Sequence, residues 1–241
     1  MAKLLNVDNN AKTVKGQKRG YLTGVLYLAP SDLSGRNVCP MASPGCIAAC
    51  LNTAGHGAFN NVQQARINKT RALFEDRDAF LAQLHKEIGA LIRKAARDGL
   101  TPTVRLNGTS DLPWEAYKLD GKSLFEHFPD VQFYDYTKIP KRAKLWAAGK
   151  MPANYHLTFS RSEINDADAR ACLKAGANVA VVFRPKLPAT FGNAPVIDGD
   201  ADDLRFMPQG METIAHRGVV VGLKAKGRAR KENSGFVVDV D

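Results

Sequence analysis

The chain has 241 residues, of which 44% are apolar and 24% charged. That balance suits one α/β domain with a substantial core and excludes both intrinsic disorder and two average-sized domains. No stretch reaches the roughly 18 consecutive apolar residues of a membrane span, and the amino terminus lacks the apolar segment of a secretory signal, so a cytoplasmic location without a membrane partner is expected. The net charge of +10 favours polyanionic partners such as nucleic acid or nucleotides, although a merely soluble basic protein satisfies the same number.

Residues 1–20 are polar and basic without a sustained period and read as a flexible arm ahead of a single α/β domain over 21–241. The run from Tyr21 to Ala29 reads as the first core strand, stopped by Pro30. A loop over 36–57 follows, interrupted by Pro40, Pro44, Gly45, Gly55 and Gly57. Helical stretches are then expected over 61–74 and 78–97; in the second, Phe80, Leu81, Leu84, Ile88, Leu91, Ile92 and Ala95 recur at three- and four-residue spacing. Short apolar strands are expected over 103–106, 131–136, 155–159, 178–183, 195–197 and 218–223, with helices over 112–128, 139–148 and 163–175 between them.

Strands alternating with helices predict a mostly parallel sheet with right-handed crossovers. The expected fold is therefore a partial (β/α) barrel of six or seven strands, with an open doubly wound sheet as the alternative. Almost every strand ends in polar residues, and in either fold that edge is where a site is built.

Cys39, Cys46 and Cys50 share the 36–57 loop in the spacing Cys-x6-Cys-x3-Cys. In a reducing compartment such a group signals metal or redox chemistry rather than disulfides. Structural zinc wants four protein ligands, whereas a four-iron, four-sulfur (4Fe-4S) cluster held by three thiolates keeps one iron open for a ligand. The rival is zinc completed by His56, in a nucleic-acid-binding protein without catalysis. Cys172, in an alanine-rich helical context, reads as a buried thiol or, alternatively, a further ligand.

Asp111 and Glu163, each just beyond a strand, are the acid/base candidates. Lys138, Lys141 and Arg142, and the run Lys224, Lys226, Arg228, Arg230 and Lys231, are candidates for phosphate contacts, with Trp114, Tyr134 and Tyr136 for base stacking; a solvated surface and core packing are the plainer readings. Asp198, Asp200, Asp202 and Asp203 lack the glycine and terminal glutamate of a calcium loop and read as an acidic turn. His156 alternates with Tyr155 and Leu157 and suits either a barrel interior or a hydrogen-bonded core.

A core strand, a three-cysteine loop and alternating helices and strands from Leu22 to Lys226 resemble the radical S-adenosylmethionine enzymes. That superfamily usually spaces its cysteines Cys-x3-Cys-x2-Cys, which this chain does not. The resemblance implies that Cys39, Cys46 and Cys50 hold the 4Fe-4S cluster, with S-adenosylmethionine as cofactor and an external electron donor. It also implies that Asn107, Gly108, Thr109, Ser110 and Asp111 stand where the family holds the methionine amino group, though without its double glycine. Ser160, Arg161 and Glu163 would contact the ribose or carboxylate, leaving Lys138 and Lys224 as further catalytic candidates. The segments CPMASPGCIAAC, RLNGTSDLPWE, FYDYTK, YHLTFSRSE and GLKAKG resemble a family of tailed-bacteriophage proteins called gene product eighty-eight, which implies a phage origin and no particular reaction.

Overall fold

A computed structural model describes residues 3–7, 11–207 and 218–241; residues 1, 2 and 8–10 of the expected arm lie outside the described residues. Among the described residues ten strands form one mixed sheet: β1 (Leu5–Val7), β2 (Tyr21–Leu26), β3 (Thr101–Arg105), β4 (Gln132–Thr137), β5 (Tyr155–Ser160), β6 (Val179–Arg184), β7 (Thr190–Phe191), β8 (Ala194–Asp198), β9 (Val220–Lys224) and β10 (Val237–Asp239). The helices are α1 (Ala11–Gln17), α2 (Pro44–Ala48), α3 (Asn60–Glu75), α4 (Arg77–Arg97), α5 (Leu124–His127), α6 (Pro140–Ala147) and α7 (Asp166–Lys174).

The strand order is β1-β2-β3-β4-β5-β6-β9-β8-β7, parallel from β2 to β8 and antiparallel at both ends. The sheet is open, since β1 and β7 terminate it instead of meeting. All seven strands read from the sequence are present. The additional ones, β1, β7 and β10, are two or three residues long and too short to carry a pattern. From β2 to β6 each strand lies beside its predecessor in the chain, so the crossovers advance in one direction; the order reverses only where β9 returns between β6 and β8. A doubly wound sheet would reverse near its middle, with helices on both faces.

Same-handed crossovers taken in one direction put their helices on one face, and the core reflects this. Phe80, Leu84, Ile88 and Leu91 of α4 pack with Leu22, Leu26, Val104, Phe133 and Leu157 of the sheet. Ala143 of α6 and Cys172 of α7 pack with Phe159, Val181 and Phe183. The period read for α4 is therefore its buried face, and each side chain so buried contributes about 1.5–3 kcal/mol. Asp76 caps α4, its carboxylate accepting from the Ala79 N–H at 2.9 Å. Gly24 sits where a Cβ would come within 3.0 Å of Leu91.

The opposite face is polar and is covered by residues 199–207 and α1. Arg105 pairs with Asp203 at 2.9 Å, Tyr134 and Tyr136 reach the same carboxylate, and Arg205 donates to the Tyr136 hydroxyl at 2.9 Å. The four aspartates of the acidic turn are not pooled, since Asp198 accepts from the Asp200 N–H, Asp200 pairs with Lys226, Asp202 with Arg19 and Asp203 with Arg105. His156 is buried against Trp146.

Two expectations change. The amino-terminal segment is docked where it is described: β1 pairs with β2, Leu4 and Leu5 are buried, and the Glu87 carboxylate accepts both their N–H groups. Residues 112–128 are not a helix; only a turn at Trp114–Ala116 and α5 are helical. The Asn107 side-chain oxygen accepts from the Leu112 N–H and the Trp114 indole, which holds that stretch extended and buries Trp114. Among the described residues no helix is long and apolar enough to cross a membrane.

Candidate metal centre

The carboxyl-terminal edge of β2 to β6 gathers most of the residues singled out in the sequence. Cys39 follows β2, Cys46 lies within α2, and Cys50 opens the turn Leu51–Thr53. Ser43 caps α2 and accepts from the Cys46 N–H at 3.2 Å, with Pro44 at the first helical position, where its missing N–H costs nothing. Short regular turns thus set each cysteine within a loop otherwise broken by proline and glycine.

Each of the three thiols is half-buried. Burial pushes Cys39 up to about 12, opposed by a backbone hydrogen bond at Ser31 and reinforced by Cys50, Cys46 and Asp111. Burial also raises Cys46, against the pull of Lys138, and raises Cys50, against the Asn52 N–H, with Cys46 adding to the rise and Arg66 and Lys138 opposing it. The sulfurs therefore lie near enough to repel one another as thiolates, with two cations beside them. Among the described residues no three His, Cys, Asp or Glu side chains converge as ligands of a single ion do.

Lys138 stands at the centre. Its buried ammonium donates to the Ser160 hydroxyl at 2.8 Å and to the Ser160 and Arg161 carbonyls, each at 3.3 Å. It lies 5.2 Å from the Phe236 ring and close enough to Cys46 to oppose the rise of its pKa. Burial lowers its pKa while Cys46, Asp111, Glu163 and Cys39 hold it up.

The other candidates act as struts. The Glu163 carboxylate accepts from the Ser43 hydroxyl at 2.7 Å and the Gly45 N–H at 2.8 Å, gripping the start of α2. Gly45 has no room for a side chain, because a Cβ would lie 2.2 Å from the Ser234 hydroxyl. Asp111 accepts from the Lys138 N–H at 2.7 Å and from Arg142 at 2.9 Å, and its own N–H donates to the Val38 carbonyl at 2.8 Å. Burial raises its pKa, with Arg142 the main opposing influence. Arg161 holds Asp166 at 2.7 Å and the Gly235 and Phe236 carbonyls, tying β5 to the entry of β10.

In the turn after β3 the side chains point into the protein's own hydrogen bonds. Asn107 engages Asp135, Leu112 and Trp114, and Ser110 donates to Asn107. Thr109 donates to the Leu28 carbonyl at 2.5 Å, while its own carbonyl accepts from the Cys39 thiol at 3.7 Å. Gly108 lies against Tyr27, where a Cβ would meet the ring at 2.6 Å. The backbone of this turn, more than its side chains, faces the cysteine loop.

Some residues fall away from the group. Lys224 ends β9 exposed. His56 is exposed and stacks on Phe59 at 5.6 Å. Cys172 is buried in the cluster between α6, α7 and the sheet. Trp114 and Tyr134 are fully buried, and Tyr136 is held by Arg205 and Asp203, so these three rings are packed into the protein and do not serve as stacking platforms. Arg66 was not singled out, yet it pairs with Asn52 beside Cys50 and covers the Tyr27 ring at 4.8 Å. Its position in the buried series Arg66, Thr70, Leu73 of α3 was the available signal.

Fold and edge together define a mixed α/β protein whose open, mostly parallel sheet carries a three-cysteine loop at the carboxyl-terminal ends of its strands. The chain belongs to the Gene product 88 family, whose pattern it matches over residues 3–240. That agrees with the phage-type likeness read from its sequence segments. No curated protein and no solved structure matches the chain.

Proposed function

We propose that Cys39, Cys46 and Cys50 hold a 4Fe-4S cluster in a phage enzyme of the radical S-adenosylmethionine type, working in the host cytoplasm on a nucleic acid, nucleotide or other phosphorylated substrate. The observation that carries this reading is the placement of three half-buried cysteines in one loop at the strand ends, with the buried Lys138 and Arg66 side chains beside that loop. A cysteine nucleophile is activated by a lowered pKa; burial raises these thiols instead, so none is set up as a free nucleophile, and a bound metal would have to displace their protons. Lys138, Arg66 and the Asn52 N–H supply the positive charge and donors that an anionic cluster needs.

Held by Cys39, Cys46 and Cys50, such a cluster would pass an electron from an external donor to the sulfonium cofactor and so supply its reductive cleavage. The chain's own part is to orient and shield: Glu163 fixes α2, Asp111 joins the cysteine loop to the start of α6, and Lys138 balances charge. The one-directional run from β2 to β6 supports reading this part of the sheet as a partial (β/α) barrel. Anaerobically purified protein is expected to be brown, with absorption near ~400 nm, and to cleave S-adenosylmethionine when supplied with a reductant. Colourless, zinc-replete protein would sink the cluster, and an intact cluster without cleavage would sink the enzyme.

A further inference from the structure

Of the seven large apolar side chains left exposed among the described residues, six lie either between Leu33 and Phe59 or at Ile164, beside the Glu163 grip on α2. Ile47, Leu51 and Phe59 are 48%, 58% and 57% exposed. Exposed apolar groups are normally scattered; Leu51 and the His56–Phe59 pair sit on adjoining turns, and such a grouping marks a docking surface. The Phe59 ring is stacked on His56 with 26° between their planes, so a flat π surface faces solvent.

The same rim is cationic. The turn Gly227–Lys231 packs on Leu51–Thr53, closely enough that a Cβ on Gly227 would lie 2.8 Å from that of Ala54. Its Arg228, Arg230 and Lys231 are exposed. The neighbouring carboxylates are already engaged: Glu232 by the Ser234 and Val237 N–H groups, Asp200 by Lys226, and Glu163 by Ser43 and Gly45. Arg228, Arg230 and Lys231 face the single carboxylate of Glu232 in this turn, so the rim keeps a net positive charge.

We propose that this rim, from Ile47 to the His56–Phe59 stack and across to Arg228, Arg230 and Lys231, is a docking site for single-stranded nucleic acid. Unpaired bases present the flat apolar faces that the ring stack and the aliphatic side chains accept, and the phosphates match the exposed cations. A duplex keeps its base faces stacked inside and offers only base edges and phosphates, so the apolar half of the rim selects the single strand. The inference rests on the nucleic-acid part of the proposed function and not on the cluster.

The test is fluorescence anisotropy with labelled oligo-dT and with the oligo-dT·oligo-dA duplex, on the full chain, recording the colour of the same sample. The single strand is expected to bind more tightly than the duplex. Phe59→Ala is expected to weaken single-strand binding about 5- to 100-fold, the range that loss of one stacked base gives, with little change in duplex affinity. The triple substitution Arg228→Ala, Arg230→Ala, Lys231→Ala is expected to lower the logarithmic salt slope by about 2 between ~50 and ~200 mM salt. Because every substituted side chain is exposed, unchanged thermal melting accompanies these effects. Equal affinity for strand and duplex, an unaffected Phe59→Ala variant, or self-association through the rim without oligonucleotide binding would each overturn the proposal. A colourless protein that binds as described would sink the cluster alone, and a brown protein that does not would sink this inference alone.

Discussion

Replacing Glu163 separates a positioning role from a catalytic one. Its carboxylate accepts two hydrogen bonds, from the Ser43 hydroxyl at 2.7 Å and the Gly45 N–H at 2.8 Å, and both hold the turn that carries Cys46. Hydrogen bonds to a charged acceptor contribute about 1.5–3 kcal/mol each. At this half-buried position the lower end applies, so Glu163→Ala is expected to cost about 3 kcal/mol of local stability. That corresponds to a roughly hundredfold rise in opening of the cysteine loop. Amide hydrogen exchange at Gly45 and Cys46 should quicken by that factor, while α4 on the far side of the core exchanges as before. Bound iron per chain should fall in parallel. Glu163→Gln keeps one acceptor for the Gly45 N–H and should restore most of the protection and the iron. If Glu163→Ala left both loop exchange and iron content unchanged, the positioning argument would be wrong. If Glu163→Gln kept its iron and lost all turnover, the acid/base role expected from the sequence would stand instead.

Further outcomes follow from the same geometry. Cys39→Ser, Cys46→Ser or Cys50→Ser should each abolish a content of about 4 iron atoms per chain, whereas Cys172→Ser should keep the iron and lose stability through its core position; iron analysis of purified variants decides. Asp135 is raised by burial from 3.8 to about 7, equivalent to roughly 4 kcal/mol. Because its folded pKa lies above the unfolded value, this contribution is fully present below about pH 4 and is lost as pH rises through about 7. Urea unfolding from pH 5 to 8 should therefore decline more steeply for the wild type than for Asp135→Asn, and parallel curves would contradict the assignment. Asp203→Ala leaves the half-buried Arg105 without its carboxylate and should cost about 3 kcal/mol, with Arg105→Met and Asp203→Leu together recovering most of it. Failure of the double substitution to recover would mean that the pair also organises residues 199–207.

The carboxyl-terminal strand has a bearing on the site that neither its length nor its composition announces. β10 runs beside β6 from Val182 onward, where β5 has left off after Ala180. Phe236, just before it, lies over the Lys138 ammonium and packs with Ala49 next to Cys50. The end of the chain therefore closes the centre from above, and Arg161 and Glu232 bind the loop that brings it there.

Local pattern alone determined the parallel strands, α4 and the polar strand ends, because burial on one face imposes a period that a short window of sequence carries. The 3.6-residue spacing from Phe80 to Ala95 is the buried stripe of α4, and the residues after β3, β4 and β5 do meet the cysteine loop. The helix expected over 112–128 failed for a long-range reason, since Asn107 ties down Leu112 and Trp114 from outside that stretch. Strands as short as β1 and β10 have no period of their own and exist because distant partners pair with them. At the centre, the sequence by itself determined that three thiols share one loop. Only the tertiary structure decided that Arg66 and Lys138 stand beside them, that Glu163 and Asp111 brace them, and that His56 and Lys224 face away. Those neighbours come from separate elements, and only packing of the whole sheet brings them to one edge.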